Sequence, residues 1–205
     1  MKAKISDLKY RINNLIPKKI CNYFIDVFEK NKKFSDHESS YKNIEKKIIE
    51  DNFTCLNLTQ ASMHLNELKQ PLDIAKKYIS IMIVNYVEHI KKEISPTVCN
   101  VYMKSSPNIR ILKYGVGQNI KDHTDVGPNF RASCTLNLNE DYEGGEFRFF
   151  NGQIKESFKT GDAMIFPAEP IWVHGTEPIT KGTRYSINCF LQNHEPNKTS
   201  NEFII

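Results

Sequence analysis

Apolar positions recur at helical spacing in the first half of this chain and alternate in the second half. After Pro17, which a first helical turn tolerates, Ile20, Phe24, Val27 and Phe28 mark one face of a helix. The segment "PLDIAKKYISIMIVNYVEHIKKEI" (71–94) predicts the longest helix. Its apolar residues Ile74, Tyr78, Ile81, Met82, Val84, Tyr86 and Ile90 form a broad face, and Pro96 stops it. Such a face suits a helix lying on the back of a sheet. The stretch from Phe34 to Met63 follows no single period; an irregular loop and then a helix over "YKNIEKKIIED" is one reading of it.

Near residue 100 the texture changes. Glycine is absent before it, and all nine glycines follow it. "NIRILKYG", "FRASCTLNLN", "GEFRFFNG", "IKESFK", "AMIFP", "IWVHG" and "TRYSINCFL" are strand-length and bounded by Gly, Pro, Asn or Asp. Many short strands at this spacing indicate a sandwich or barrel, and a jelly roll fits. The fold class expected is α+β: a double-stranded β-helix (jelly roll) core with N-terminal helices packed on one sheet. The expected organisation is a helical part over 1–100, the core over 101–195 and a tail over 196–205, within one integrated domain.

Composition narrows the class further. The net charge of +4 is spread over segments interleaved with acids, so no nucleic-acid partner is expected. Cys21, Cys55, Cys99, Cys134 and Cys189 are widely spaced and form no CxxC pair, which favours a reducing compartment over a disulfide scaffold. No apolar run has the length of a signal peptide or a membrane span, so a cytoplasmic protein is expected. Oligomeric state is not legible.

The chemistry lies in "KDHTDVG" (121–127). In extended chain His123 and Asp125 point to the same side. One further histidine would complete a two-histidine, one-carboxylate facial set, which suits iron(II) and leaves positions open for substrate and dioxygen. His37, His64 and His89 lie in the helical part and His194 in a polar tail. His174 ends the apolar strand "PIWVHG" and is the candidate third ligand. In "TRYSIN", Arg184, Ser186 and Asn188 share one strand face, while Tyr185, Ile187 and Cys189 take the core-directed one. A buried arginine needs an anion. A dicarboxylate that chelates the metal at one end and meets Arg184 at the other satisfies both groups, and a structural Arg–Glu pair is the alternative.

The order His123-x-Asp125, His174, Arg184-x-Ser186 resembles the signature of the iron(II)- and 2-oxoglutarate-dependent dioxygenases, in their prolyl 4-hydroxylase-like branch. The resemblance covers Ile109 to Leu191. It extends to "YGVGQNIKDHTD", to "LNLNEDYEGGEFRF" with its Gly-Gly turn, and to "HGTEPITKGTRYSI". It implies His123, Asp125 and His174 as iron ligands and Arg184 on the distal carboxylate of 2-oxoglutarate. Tyr114 and Ser186 are implied as further cosubstrate contacts, together with a hydroxyl from either Ser133 or Thr135. Asn137 stands where that branch carries an aromatic residue. The implied reaction consumes 2-oxoglutarate and O2, with ascorbate as an accessory reductant, and releases succinate and CO2 while hydroxylating a peptidyl residue such as proline. Hydroxylation of a free amino acid or other small molecule, and a catalytically silent binding module, are the alternatives.

Overall fold

A computed structural model describes residues 4–38, 53–96, 103–105, 108–125, 127 and 129–193. The helix proposed over 41–51, His194, Cys99 and the tail over 196–205 lie outside the described residues.

Two long helices form. α1 (Lys18–Asn31) begins directly after Pro17 and buries Cys21, Phe24, Val27 and Phe28 at helical spacing. A four-residue turn, α2 (Leu58–Ala61), precedes α3 (Lys69–Glu93). The buried stripe of α3 is Leu72, Ala75, Ile79, Met82, Tyr86 and Ile90. It is narrower than the sequence suggested and rotated from it: Ile74, Tyr78 and Ile81 are half-buried and Val84 is exposed. The helix has one sheet to pack on, and a stripe about two residues wide per turn suffices for that.

The strands run in chain order as β1 (Tyr10–Ile12), β2 (Asp36–Glu38), β3 (Phe53–Asn57), β4 (Met103–Ser105), β5 (Arg110–Tyr114), β6 (Phe130–Asn137), β7 (Tyr142–Gly144), β8 (Phe147–Phe149), β9 (Ile154–Glu156), β10 (Ala163–Pro167), β11 (His174–Thr176), β12 (Ile179–Gly182) and β13 (Arg184–Asn193). The large antiparallel sheet has the order β1-β10-β6-β13-β5-β3-β2, with β4 also on β13. Two small sheets, β11-β8-β9 and β12-β7, complete the jelly roll. The first hundred residues therefore supply strands as well as helices, β1 on one flank of the large sheet and β3 on the other.

Alternation assigns the two faces of the large sheet. Ala132, Cys134, Leu136, Ile165, Ile187 and Leu191 meet the helices in the main core. On the opposite face, Met164 and Phe166 join Phe147, Phe149, Phe158 and Trp172 in an aromatic cluster. Phe53, Cys55, Leu112, Tyr114 and Ile179 form a second apolar group on that inner side. Polar residues share this inner face: Ser133, Thr135 and Asn137 on β6, and Arg184, Ser186 and Asn188 on β13.

One strand assignment is corrected. His174 begins β11 rather than ending an apolar strand. Ile171 is exposed and Trp172 is buried against Phe149, so "IWV" is a turn that anchors one large ring. The size of Trp172, not a two-residue period, accounts for the apolar run.

Candidate metal centre

The segment from Gln118 to His123 runs antiparallel along β11. Thr176 N–H donates to the Ile120 carbonyl at 2.8 Å and Ile120 N–H to Thr176 Oγ1 at 3.0 Å, and His123 and His174 donate their N–H groups to each other's carbonyls, both at 2.9 Å. This extended pairing sets the i, i+2 geometry that turns His123 and Asp125 to one side. Gly175 permits it: a Cβ there would stand 2.7 Å from Asp122 Oδ1 and 2.8 Å from the Ile120 carbonyl.

His123, Asp125 and His174 each present one ligand atom, all within 4.8 Å of one another. Nε2 of His123 lies 3.2 Å from Asp125 Oδ1, and Nε2 of His174 lies 3.2 Å from Oδ2. The Nδ1 atoms are committed elsewhere, to the Lys121 carbonyl at 2.8 Å and the Trp172 carbonyl at 2.9 Å. A carbonyl only accepts, so each Nδ1 carries a proton, and Nε2, the atom facing the carboxylate, is the one each ring has left to ligate a metal. Three converging electron-pair donors are what a divalent cation satisfies, and the set suits iron(II). Burial pushes the Asp125 carboxyl upward, but hydrogen bonding and charge from His123 and His174 reverse this and hold it well below the usual carboxylate range. Burial pulls His123 down, and Asp125 together with the Lys121 carbonyl more than restores it.

The surroundings are layered. His174 is enclosed by aromatic rings, stacked on Phe147 at 5.6 Å and edge-on to Phe166 at 4.7 Å. Ser133 donates to Asp125 Oδ2 at 2.6 Å, so it touches the carboxylate ligand directly. Arg148 donates through Nε to Asp122 Oδ1 at 2.9 Å and through Nη1 to Glu177 Oε2 at 3.1 Å. His89, among the histidines set aside, stacks on Tyr10 and bonds the Asp7 carbonyl at 2.7 Å, a structural role.

A cavity of about 210 Å³ opens on the triad, and its lining includes Ser133, Thr135, Asn188, Phe190 and Arg110. Thr135 donates to Asn188 Oδ1 at 3.2 Å, and Ser186 does so at 3.1 Å. Arg184, Ser186 and Tyr114 are buried outside that lining. Arg184 donates to Asn137 Oδ1 at 3.3 Å and to the Gly145 carbonyl at 3.2 Å, with its guanidinium 5.5 Å from the Tyr114 ring. Among the described residues no carboxylate pairs with it. Arg110 and Phe190 escaped the sequence reading, although the alternation of "RILKY" puts Arg110 on the face of Leu112 and Tyr114.

Fold and site together define a jelly roll with a two-histidine, one-carboxylate cluster at one edge of its inner cavity. Residues 109–192 match the family described as the 2OG-Fe(II) oxygenase superfamily. A PKHD-type hydroxylase of Colwellia psychrerythraea is 34% identical over 97 residues, 44% of this chain and 43% of that protein. The matched stretch thus spans less than half the length of the curated relatives. A viral collagen prolyl hydroxylase from Paramecium Bursaria Chlorella virus-1, solved as its 2OG complex, superposes with a TM-score of 0.59 at 14% identity, covering 92% of this chain and 97% of that one. A prolyl hydroxylase from Trichoplax adhaerens, solved with a hypoxia inducible factor peptide fragment, gives 0.63 at 12% identity, covering 92% and 84%. Both show likeness of fold. Among the described residues no helix is long and apolar enough to cross a membrane.

Proposed function

We propose that this protein is an iron(II)- and 2-oxoglutarate-dependent dioxygenase that hydroxylates a peptidyl residue, proline being the favoured target. The observation that carries the proposal is the convergence of two Nε2 atoms on the Asp125 carboxylate, with both Nδ1 protons held by carbonyls. Iron(II), held by His123, Asp125 and His174, would supply the centre at which 2-oxoglutarate and O2 are converted to succinate and CO2 and the substrate gains a hydroxyl.

The chain's own groups prepare that chemistry. Among the described residues Arg184 is a buried cation that bonds only neutral acceptors, and the distal carboxylate of 2-oxoglutarate would supply its counter-charge. Tyr114 faces that guanidinium, and Asn137 polarises it from below, taking the place of the aromatic residue of related enzymes. Thr135 and Ser186 both donate to Asn188 Oδ1, a hydroxyl–amide cluster on the same inner face. Phe147, Phe149 and Phe166 exclude water around His174. The neighbour solved with a peptide supports the peptidyl reading.

The test is iron-dependent release of succinate from 2-oxoglutarate with ascorbate present, and a +16 Da product on proline peptides. His174→Ala eliminates both iron binding and succinate release. Arg184→Ala raises the 2-oxoglutarate requirement while iron binding stays. Iron and 2-oxoglutarate titrations that register no binding would leave a silent jelly-roll module.

A further inference from the structure

We infer that Tyr142 is a cosubstrate-binding residue: its hydroxyl, beside Arg184, takes the distal carboxylate of 2-oxoglutarate. The inference rests on the oxygenase reading above and adds to it a group from a strand outside the ligand and arginine motifs.

Asn137 defines the point at which the two side chains meet. Its Nδ2 donates to the Asn139 and Lys159 carbonyls, which only accept, so Oδ1 is the atom turned toward Arg184. Two donors share that one oxygen, Arg184 Nε at 3.3 Å and the Tyr142 hydroxyl at 3.3 Å. Both bonds are long, and a hydroxyl donor ordinarily sits at about 2.7–2.8 Å from its acceptor. Arg184 and Asn137 are buried, and the shared oxygen carries no charge. Among the described residues neither donor has a carboxylate partner. A guanidinium and a phenol converging on a single neutral oxygen are under-satisfied, and a carboxylate offers them two charged oxygens.

The fold brings Tyr142 to this point through β7. Tyr142 pairs directly with Gly182 of β12, two residues before Arg184. Gly145 lets the side chains approach. A Cβ there would stand 2.5 Å from Ile179 Cδ1, 3.4 Å from the Tyr142 ring and 3.5 Å from Arg184 Cδ. Position 137 holds asparagine where the prolyl 4-hydroxylase-like branch carries an aromatic residue. Tyr142 returns a ring and a hydroxyl to the same amide from the next strand. Ser133, which bonds the Asp125 carboxylate, precedes Asn137 on β6 by four residues, about 13 Å of extended chain. The Tyr142 hydroxyl is therefore remote from the triad, and it meets only the far end of a dicarboxylate.

The experiment titrates iron(II)-loaded protein by calorimetry, without oxygen, with 2-oxoglutarate and with 2-oxopentanoate. The second compound has the same five carbons and a methyl group in place of the distal carboxylate. Wild-type protein prefers 2-oxoglutarate. Tyr142→Phe keeps the ring and removes only the hydroxyl. It weakens 2-oxoglutarate by about tenfold to a hundredfold, the worth of a hydrogen bond to a charged group. The affinities for 2-oxopentanoate and for iron(II) stay where they were. A hydroxyl that merely braces Asn137 would weaken both 2-oxo acids alike or change neither, and either result overturns the assignment. Wild-type protein that takes up iron(II) and binds neither 2-oxo acid breaks the oxygenase reading and this inference with it. A wild-type preference for 2-oxoglutarate that Tyr142→Phe leaves intact breaks this inference alone.

Discussion

Ser133 donates a 2.6 Å hydrogen bond to Oδ2 of Asp125, the same oxygen that faces Nε2 of His174. The hydroxyl fixes the carboxylate plane from the floor of β6. Ser133→Ala leaves the secondary structure intact by circular dichroism and weakens iron(II) binding by about tenfold to a hundredfold, the usual cost of losing a group that orients a metal ligand. Titration of the purified protein with iron(II) or cobalt(II) measures it.

Arg148 acts on the triad at one remove. It clamps Asp122, the neighbour of His123, to Glu177, which also meets Lys155 at 2.8 Å. Arg148→Met frees the segment carrying His123 and lowers metal affinity by about tenfold, and Arg148→Lys recovers part of it. A melting temperature that falls with no change in metal affinity would give Arg148 a purely structural role.

Acid sensitivity has a defined origin away from the metal. The Asp162 side chain is almost fully buried and accepts from the Lys159 and Asn14 amides and from Arg11 at 2.6 Å. Burial raises its carboxyl, but these donors outweigh burial and hold it below the ordinary carboxylate value. A group with a depressed folded-state pKa contributes its stability above the unfolded value, near 3.9, and loses it as pH falls through the folded one. Asp162→Asn is therefore less stable by about 1–3 kcal/mol at pH 7, and the difference from wild type shrinks below about pH 4. Urea unfolding across pH 3 to 7 tests both statements.

How far the sequence alone reveals this molecule depends on whether a residue's meaning is local. The inner and outer sets of β13 followed from simple alternation: Arg184, Ser186 and Asn188 on one side, Tyr185, Ile187 and Cys189 on the other. His123, Asp125 and His174 were legible as a set because a facial ligand trio restricts both residue type and order. Three-residue strands such as β7 and β11 are too short to display a period, so the start of β11 was misplaced. β3 was hidden because "FTCLN" presents Cys55 inward and Leu56 outward, apolar on both faces. Asp122 and Arg110 were missed for a different reason. Each looks like a surface charge until the strand facing it is known, and Arg148 and Phe190 are distant in sequence.

The reciprocal backbone bonds between His123 and His174 make the two imidazoles neighbours on a single ladder. Sliding β11 by one residue would turn the His174 ring to the opposite face and dismantle the donor set. Metal capture thus gauges strand alignment: a chain whose β11 has docked one step out of place fails to hold the ion, even with every ligand present and most of the barrel closed.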